Sequence, residues 1–196
     1  MNPRIYGNAN GELHRDGGLP AIEDVDNGVN EWWVNGHRHR DGGLPAREWI
    51  NGTKEWYVLG QRHRDDWLPS VEYANGTKEW YVHGKLHREG GLPAVEYANG
   101  SRAWWVNGKL HREGGLPAVE LGDHKIWWLN GRKLLPEEVI AYMEFCQKMQ
   151  EKKRVRAQKK IYFWWIQICY DLEHHAGCGI RMAQKNYEIY QKMIEL

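Results

Sequence analysis

The sequence predicts a mainly β protein: tandem antiparallel β-hairpin or meander repeats of about two dozen residues, forming an elongated twisted sheet or solenoid, followed by a small α-helical C-terminal region. Three observations carry this. The pair His-Arg recurs at His14-Arg15, His39-Arg40, His63-Arg64, His87-Arg88 and His111-Arg112, and Leu-Pro follows each pair at Pro20, Pro45, Pro69, Pro93 and Pro117. An aromatic pair keeps the same phase at Trp32-Trp33, Trp56-Tyr57, Trp80-Tyr81, Trp104-Trp105 and Trp127-Trp128. Asn-Gly dipeptides separate the short apolar runs, and the spacing of Gly and Pro leaves no room for helix. The array is expected over residues 1–132, as about five repeats, and the helical tail over 133–196.

One unit runs Leu-Pro-Ala-Val-Glu-Tyr-Ala, Asn99-Gly100, Ser-Arg-Ala-Trp-Trp-Val, Asn107-Gly108, Lys-Leu-His-Arg. If both Asn-Gly pairs are two-residue turns, the unit is a three-stranded meander. Val95 then pairs with Trp104, and Trp104 with His111. That register puts Trp104 and Trp105 on opposite faces, so both faces are partly buried. The composition agrees: 12 Trp and 10 Tyr stand against 2 Phe, and aromatics with a polar edge suit a thin structure.

The repeated polar residues have competing readings. A His per unit suggests a metal, but three strand spacings would separate successive imidazoles by ~14 Å, too far to share an ion at about 2 Å per ligand. Packing on the neighbouring Trp, with a hydrogen bond to a turn carbonyl, is preferred. Glu23, Glu48, Glu72, Glu96 and Glu120 with Arg15, Arg40, Arg64, Arg88 and Arg112 suggest a cross-strand charge ladder, with Glu55 and Glu79 between them on the same face. A glycosidase needs one acid and one base set apart from the rest, and no Glu is singular here. Phosphate loops, nucleophile elbows and dinucleotide fingerprints are absent. The chain is therefore expected to be no enzyme, with no cofactor and no small-molecule substrate.

In the tail, Leu135 to Glu138 reads as a helix start, with Pro136 at the first position and acids in the first turn. Apolar stripes at Val139, Tyr142 or Met143, Cys146 and Met149, at Ile161, Trp164 or Trp165, Ile168 and Leu172, and at Ile180, Ala183, Tyr187, Tyr190 and Ile194 predict three helices, with Gly177 ending the second. Residues 133–196 hold 11 Lys and Arg against 8 Asp and Glu, although the whole chain has a net charge of only +1. The candidate basic patch is Lys152, Lys153, Arg154, Arg156, Lys159 and Lys160, a solvated helix face or a contact for nucleic acid or anionic membrane. Cys169, His174, His175 and Cys178 offer zinc-type ligands, but at the spacing of no common finger, so helix packing is preferred and no metal is expected. The three cysteines and the lack of a signal-like leader point to a reducing compartment, and the apolar run Ile161–Tyr170 is too short to span a bilayer.

The run Trp-Trp-Val-Asn-Gly-Lys-Leu-His-Arg-Glu-Gly-Gly-Leu-Pro-Ala resembles the repeats of MORN-like proteins of nucleocytoplasmic large DNA viruses, over roughly residues 5–132. The tail runs Trp-Trp-Ile-Gln-Ile-Cys-Tyr-Asp-Leu and Cys-Gly-Ile-Arg-Met-Ala are similar to C-terminal modules of the same proteins. The Tyr-x-Gly and Gly-x-Gly pattern of true MORN units is absent, so phosphoinositide binding is not carried over. The resemblance implies a viral scaffold without catalytic residues, such as a minor capsid protein or other virion component, in the virion or the host cytoplasm. Its partners would be capsid or other virion proteins, met by the aromatic face of Trp33, Tyr57, Tyr81 and Trp105.

Overall fold

In the computed structural model, which describes residues 2–174, the chain divides into two compact units, residues 1–143 and 144–196. The first is a β array. Its main sheet contains, among the described residues, eleven strands in chain order: Arg4–Ile5, Ile22–Asp24, Val29–Glu31, Arg47–Trp49, Lys54–Glu55, Val71–Glu72, Lys78–Glu79, Val95–Glu96, Arg102–Ala103, Val119–Leu121 and His124–Ile126. Every neighbouring pair is antiparallel, and the sheet stays open. Five separate two-stranded ribbons interleave with it, such as Tyr81–Val82 with Lys85–Leu86 and Trp105–Val106 with Lys109–Leu110.

The expected meander is therefore split. The second strand of each unit stops at its first aromatic, Trp32, Trp56, Trp80 or Trp104, and the chain leaves the main sheet to form the ribbon. Each unit adds two strands to the sheet, not three, so successive repeats lie ~9.5 Å apart, replacing the ~14 Å expected from sequence.

The two Asn-Gly turns differ. Asn107 and Gly108 both have positive φ, 50° and 79°, and Trp105 pairs with Leu110, so this is a two-residue turn of the primed type as expected. At Asn99-Gly100 the turn holds three residues. Tyr97 N–H donates to Ser101 O at 3.0 Å, Gly100 N–H donates to Tyr97 O at 2.9 Å, and the Asn99 Oδ1 accepts from Ser101 N–H at 3.0 Å. Val95 consequently pairs with Ala103 and not with Trp104. A slip of one residue moves every side chain of the strand to the other face, and the expected faces are corrected accordingly.

The corrected register sorts the main sheet into two rows. One reads Glu48, Lys54, Glu72, Lys78, Glu96, Arg102, Glu120, Lys125 across successive strands, so opposite charges face each other at every step. The other reads Glu31, Arg47, Glu55, Val71, Glu79, Val95, Ala103, Val119, Ile126. Glu55 and Glu79 thus lie on the face opposite Glu48, Glu72 and Glu96. The core is thin. It is built on the residue after each of the first five Leu-Pro pairs (Ala21, Ala46, Ser70, Ala94, Ala118, all at 0% exposure) and on Trp32, Trp56, Trp80 and Trp104, with Val71, Val95 and Ala103 of the sheet buried beside them.

The array ends where the next Leu-Pro begins a helix instead of a strand. Pro136–His174 forms one continuous helix, α1, of 39 residues. Glu138 closes its first turn by accepting from Leu135 N–H and from Arg132, each at 2.9 Å. The first two predicted stripes therefore belong to a single helix, because nothing between Met149 and Ile161 breaks it. The third stripe and Gly177 lie outside the described residues. No helix among the described residues is long and apolar enough to cross a membrane.

Candidate functional site

The repeated unit is closed by one clamp. The Trp80 indole N–H donates to the carbonyl of the link that opens its unit, at Trp67 O and 2.9 Å, and Trp32, Trp56, Trp104 and Trp127 do the same to Gly18, Gly43, Gly91 and Gly115. Arg88 lies over the Trp80 ring at 3.7 Å, and Arg40, Arg64 and Arg112 repeat this over Trp32, Trp56 and Trp104. Each guanidinium then reaches the next unit. Arg88 donates to Pro93 O at 3.2 Å and to Glu96 at 2.8 Å. The Arg–Glu pairing expected from sequence is present, but the arginines sit beyond the ribbon strands rather than on them.

Three of the histidines bond to a neighbouring carboxylate, and of these His39 also has its Nδ1 3.3 Å from a backbone carbonyl, Tyr57 O. Nε2 of His14, His39 and His63 lies 3.0–3.1 Å from the carboxylate two residues on, Asp16, Asp41 and Asp65. The His14 Nδ1 accepts from Asn35 N–H in the next unit at 3.2 Å. Among the described residues no three His, Cys, Asp or Glu side chains are grouped to hold a metal ion. His175 and Cys178 lie outside the described residues, as do the side chains of Cys169 and His174.

A second system fills the face carrying Glu31, Glu55 and Glu79. Glu55 is 4% exposed and accepts from the Tyr57 hydroxyl and from Arg62, whose NH2 lies at 3.1 Å. Arg62 NH1 donates to the Tyr81 hydroxyl at 3.4 Å, and that hydroxyl donates to Glu79 at 3.0 Å. Glu31 is held likewise by Trp33 Nε1, Arg38 and Arg47. Burial and then Glu79 push the Tyr81 and Tyr73 phenols up to about 12, and burial raises Tyr57 as well. The network stops at the fourth unit. The Arg is already Leu86 in the third unit; in the fourth Ala103 also replaces the Glu, Leu110 keeps the apolar residue, and Trp105 Nε1 is buried without an acceptor.

The four aromatics expected to meet partners are the upper members of this system. Trp33, Tyr81 and Trp105 are half-buried and Tyr57 is buried, with the polar tips of the first three units turned onto glutamates. Of the basic patch, Lys152, Lys153, Arg154, Arg156 and Lys160 are exposed on α1 and Lys159 is half-buried; Arg154 pairs with Glu151 at 2.8 Å.

Each link carries an accessible apolar side chain at the same position, although Ile50, Val25 and Leu59 elsewhere on the array are more exposed. Leu19, Leu44, Leu68, Leu92 and Leu116 are each about half exposed. Cavities open between consecutive links, of about 460 Å³ between the second and third and about 530 Å³ between the fourth and fifth.

The third unit departs from the others. Where four links have Gly-Gly, it has Asp66-Trp67, both left-handed at φ 61°, and the Trp67 side chain is exposed at 66%. Leu59 and His83 likewise take left-handed φ, 47° and 46°, at turn positions where three other units have Asn. A non-glycine residue held so costs of order 1–3 kcal/mol. His83 recovers part of this by stacking on His63, with ring centroids 4.6 Å apart. Among the described residues, all of the left-handed residues other than Gly and Asn lie between positions 59 and 83.

Compared with known proteins, the chain matches no family model, no curated protein and no solved structure.

Proposed function

We propose that this chain is a non-enzymatic repeat scaffold that binds protein partners along the side where its links line up. The observation that carries the reading is the row of five equivalent half-exposed leucines, spaced ~9.5 Å apart along the sheet. The repeated polar side chains support it from the other direction. The Arg and Glu of successive units are engaged with each other, so the unit offers a partner regular apolar knobs and grooves in place of a reactive group. The resemblance to repeats of large DNA viruses adds that the partners are capsid or other virion proteins and that the chain is a minor virion component.

The test is site-specific photo-crosslinking. A photoreactive residue at Leu44 or Leu92 should yield one defined protein adduct in the cell where the chain is made. The same residue at Lys54 or Lys78, on the charged row, should not. Indiscriminate adducts from both faces would overturn the reading, and absence of the chain from purified particles would remove its virion version alone.

A second reading has its own observation. Lys152, Lys153, Arg156 and Lys160 are exposed on α1 within a stretch whose one acid, Glu151, is held by Arg154. It makes α1 a contact for nucleic acid or an anionic membrane surface. Binding to duplex DNA or anionic vesicles should then weaken steeply with salt and disappear when the six basic residues of the patch are reversed in charge.

A further inference from the structure

We propose that the third link, Asp65-Asp66-Trp67-Leu68, is a docking site for a cationic segment of a protein partner, with the Trp67 indole receiving a Lys or Arg side chain. This rests on the scaffold reading above and gives it a specific seat.

The link's structural task does not need these side chains. It must turn the chain through two left-handed residues and present one carbonyl to the Trp of its unit. Gly90-Gly91 does this for Trp104 at 2.9 Å, the distance from Trp67 O to Trp80 Nε1. Asp66 and Trp67 perform the same turn in a conformation that side chains disfavour, and the indole takes no part in the hydrogen bond that its own carbonyl makes. A bulky, exposed aromatic held in the least suitable backbone conformation is therefore surplus to the fold, and the other irregular turn residues, Leu59 and His83, belong to the same stretch.

The chemistry around the indole selects the ligand. Trp67 lines a cavity of about 230 Å³, smaller than those between the other links, together with Asp65, Asp66, Leu68 and Glu89. The two arginines that border it are committed: Arg64 lies over Trp56 and pairs with Glu72, and Arg88 lies over Trp80 and pairs with Glu96. Three exposed carboxylates, Asp65, Asp66 and Glu89, then set the local charge, and only Asp65 is bonded to a neighbouring side chain, His63. A Trp face ringed by carboxylates is complementary to an ammonium or guanidinium group, which the indole attracts through its π cloud and the carboxylates through charge. The other links lack the indole, and each carries one carboxylate where this one carries two.

The experiment is calorimetric titration of the full chain, at low and at physiological salt, with a Lys/Gly hexapeptide, a Glu/Gly hexapeptide and maltohexaose. The wild type should bind the Lys peptide alone. The double variant D66G/W67G restores the glycines of the other links. It should lose at least tenfold in affinity while its melting temperature rises, and W67F should retain part of the binding. Unchanged affinity in D66G/W67G, a fall in its melting temperature, or binding of the sugar in place of the peptide would overturn the proposal. If no probe binds while Leu44 and Leu92 still crosslink to a defined partner, the cationic site falls and the scaffold stands. If both fail, both fall.

Discussion

The Glu55–Arg62 pair permits a sharp test of how the array holds charge inside, because a later repeat already contains the apolar replacement. Ala103 and Leu110 occupy the equivalent positions. Arg62→Leu leaves the Glu55 carboxyl group, 4% exposed, with the Tyr57 hydroxyl as its remaining side-chain partner. Breaking a buried pair from one side costs ~3–5 kcal/mol; the Arg62 side chain is 32% exposed, so the low end, ~3 kcal/mol, applies. Glu55→Ala strands the Tyr57 hydroxyl and frees Arg62 toward solvent, at ~1–3 kcal/mol. The double variant buries no charge and leaves one hydroxyl without an acceptor, as Trp105 Nε1 already is, so it should cost only ~1–2 kcal/mol. Urea unfolding of the four proteins, followed by tryptophan fluorescence, should therefore give a coupling of ~3 kcal/mol, with the double more stable than Arg62→Leu alone. If the two single costs add to within ~0.5 kcal/mol, the carboxylate is not paired as described and the reasoning fails.

Other outcomes follow from the same geometry. Trp80→Ala removes a 6% exposed indole together with its bond to Trp67 O and its stack with Arg88. It should cost ~3 kcal/mol or more, with amide exchange rising in the third and fourth units ahead of the first; uniform loosening of the array would contradict this. Leu59→Asn relieves a left-handed leucine that is 68% exposed and should stabilise by ~1 kcal/mol, or ~2–4 °C in melting temperature; no gain would mean the turn is unstrained. The raised phenols of Tyr73 and Tyr81 keep their protons in the folded chain above their usual value of 10.0. Their contribution is complete below that value and is lost as pH rises through about 12. Absorbance at ~295 nm should show a late-titrating class of tyrosines that Tyr81→Phe reduces; one transition for all tyrosines while the chain stays folded would refute it.

Much of the array was legible in the sequence because its markers are backbone devices. Asn107-Gly108 announced a two-residue turn and formed one, since both positions need positive φ. Asn99-Gly100 used the same letters for a different turn: Ala98 joins the loop, only Gly100 is left-handed, and Asn99 caps Ser101. Nothing in the dipeptide alone separates these cases. A hydroxyl residue after Gly, at Thr53, Thr77 and Ser101, marks the three-residue form, and the Asn side chain accepts from its N–H. That one-residue slip hid the buried network, because it placed Glu55 and Glu79 beside the outer glutamates. The unit-to-unit changes did record it in two steps: Glu31 with Arg38 and Glu55 with Arg62 give way to Glu79 with Leu86, whose Tyr81 borrows Arg62, and then to Ala103 with Leu110. Trp67 was equally visible as a break in the Gly-Gly pattern, but its meaning depends on a backbone angle that composition does not carry. The tail was read as separate helices because charge replaced the apolar stripe between Met149 and Ile161, although Lys, Arg, Gln and Glu all extend a helix well.

The arginine that lies over the Trp of its own unit and grips the Glu and Pro carbonyl of the next gives the junctions at Arg40, Arg64, Arg88 and Arg112 one shared set of contacts. A block of 24 residues cut from one His-Arg to the next could therefore be duplicated or excised by recombination within the coding sequence, and the ends would rejoin with their bonds intact. Such an exchange would lengthen or shorten the sheet in increments of ~9.5 Å. The array is in that sense a ruler whose length evolution can reset without redesigning a core.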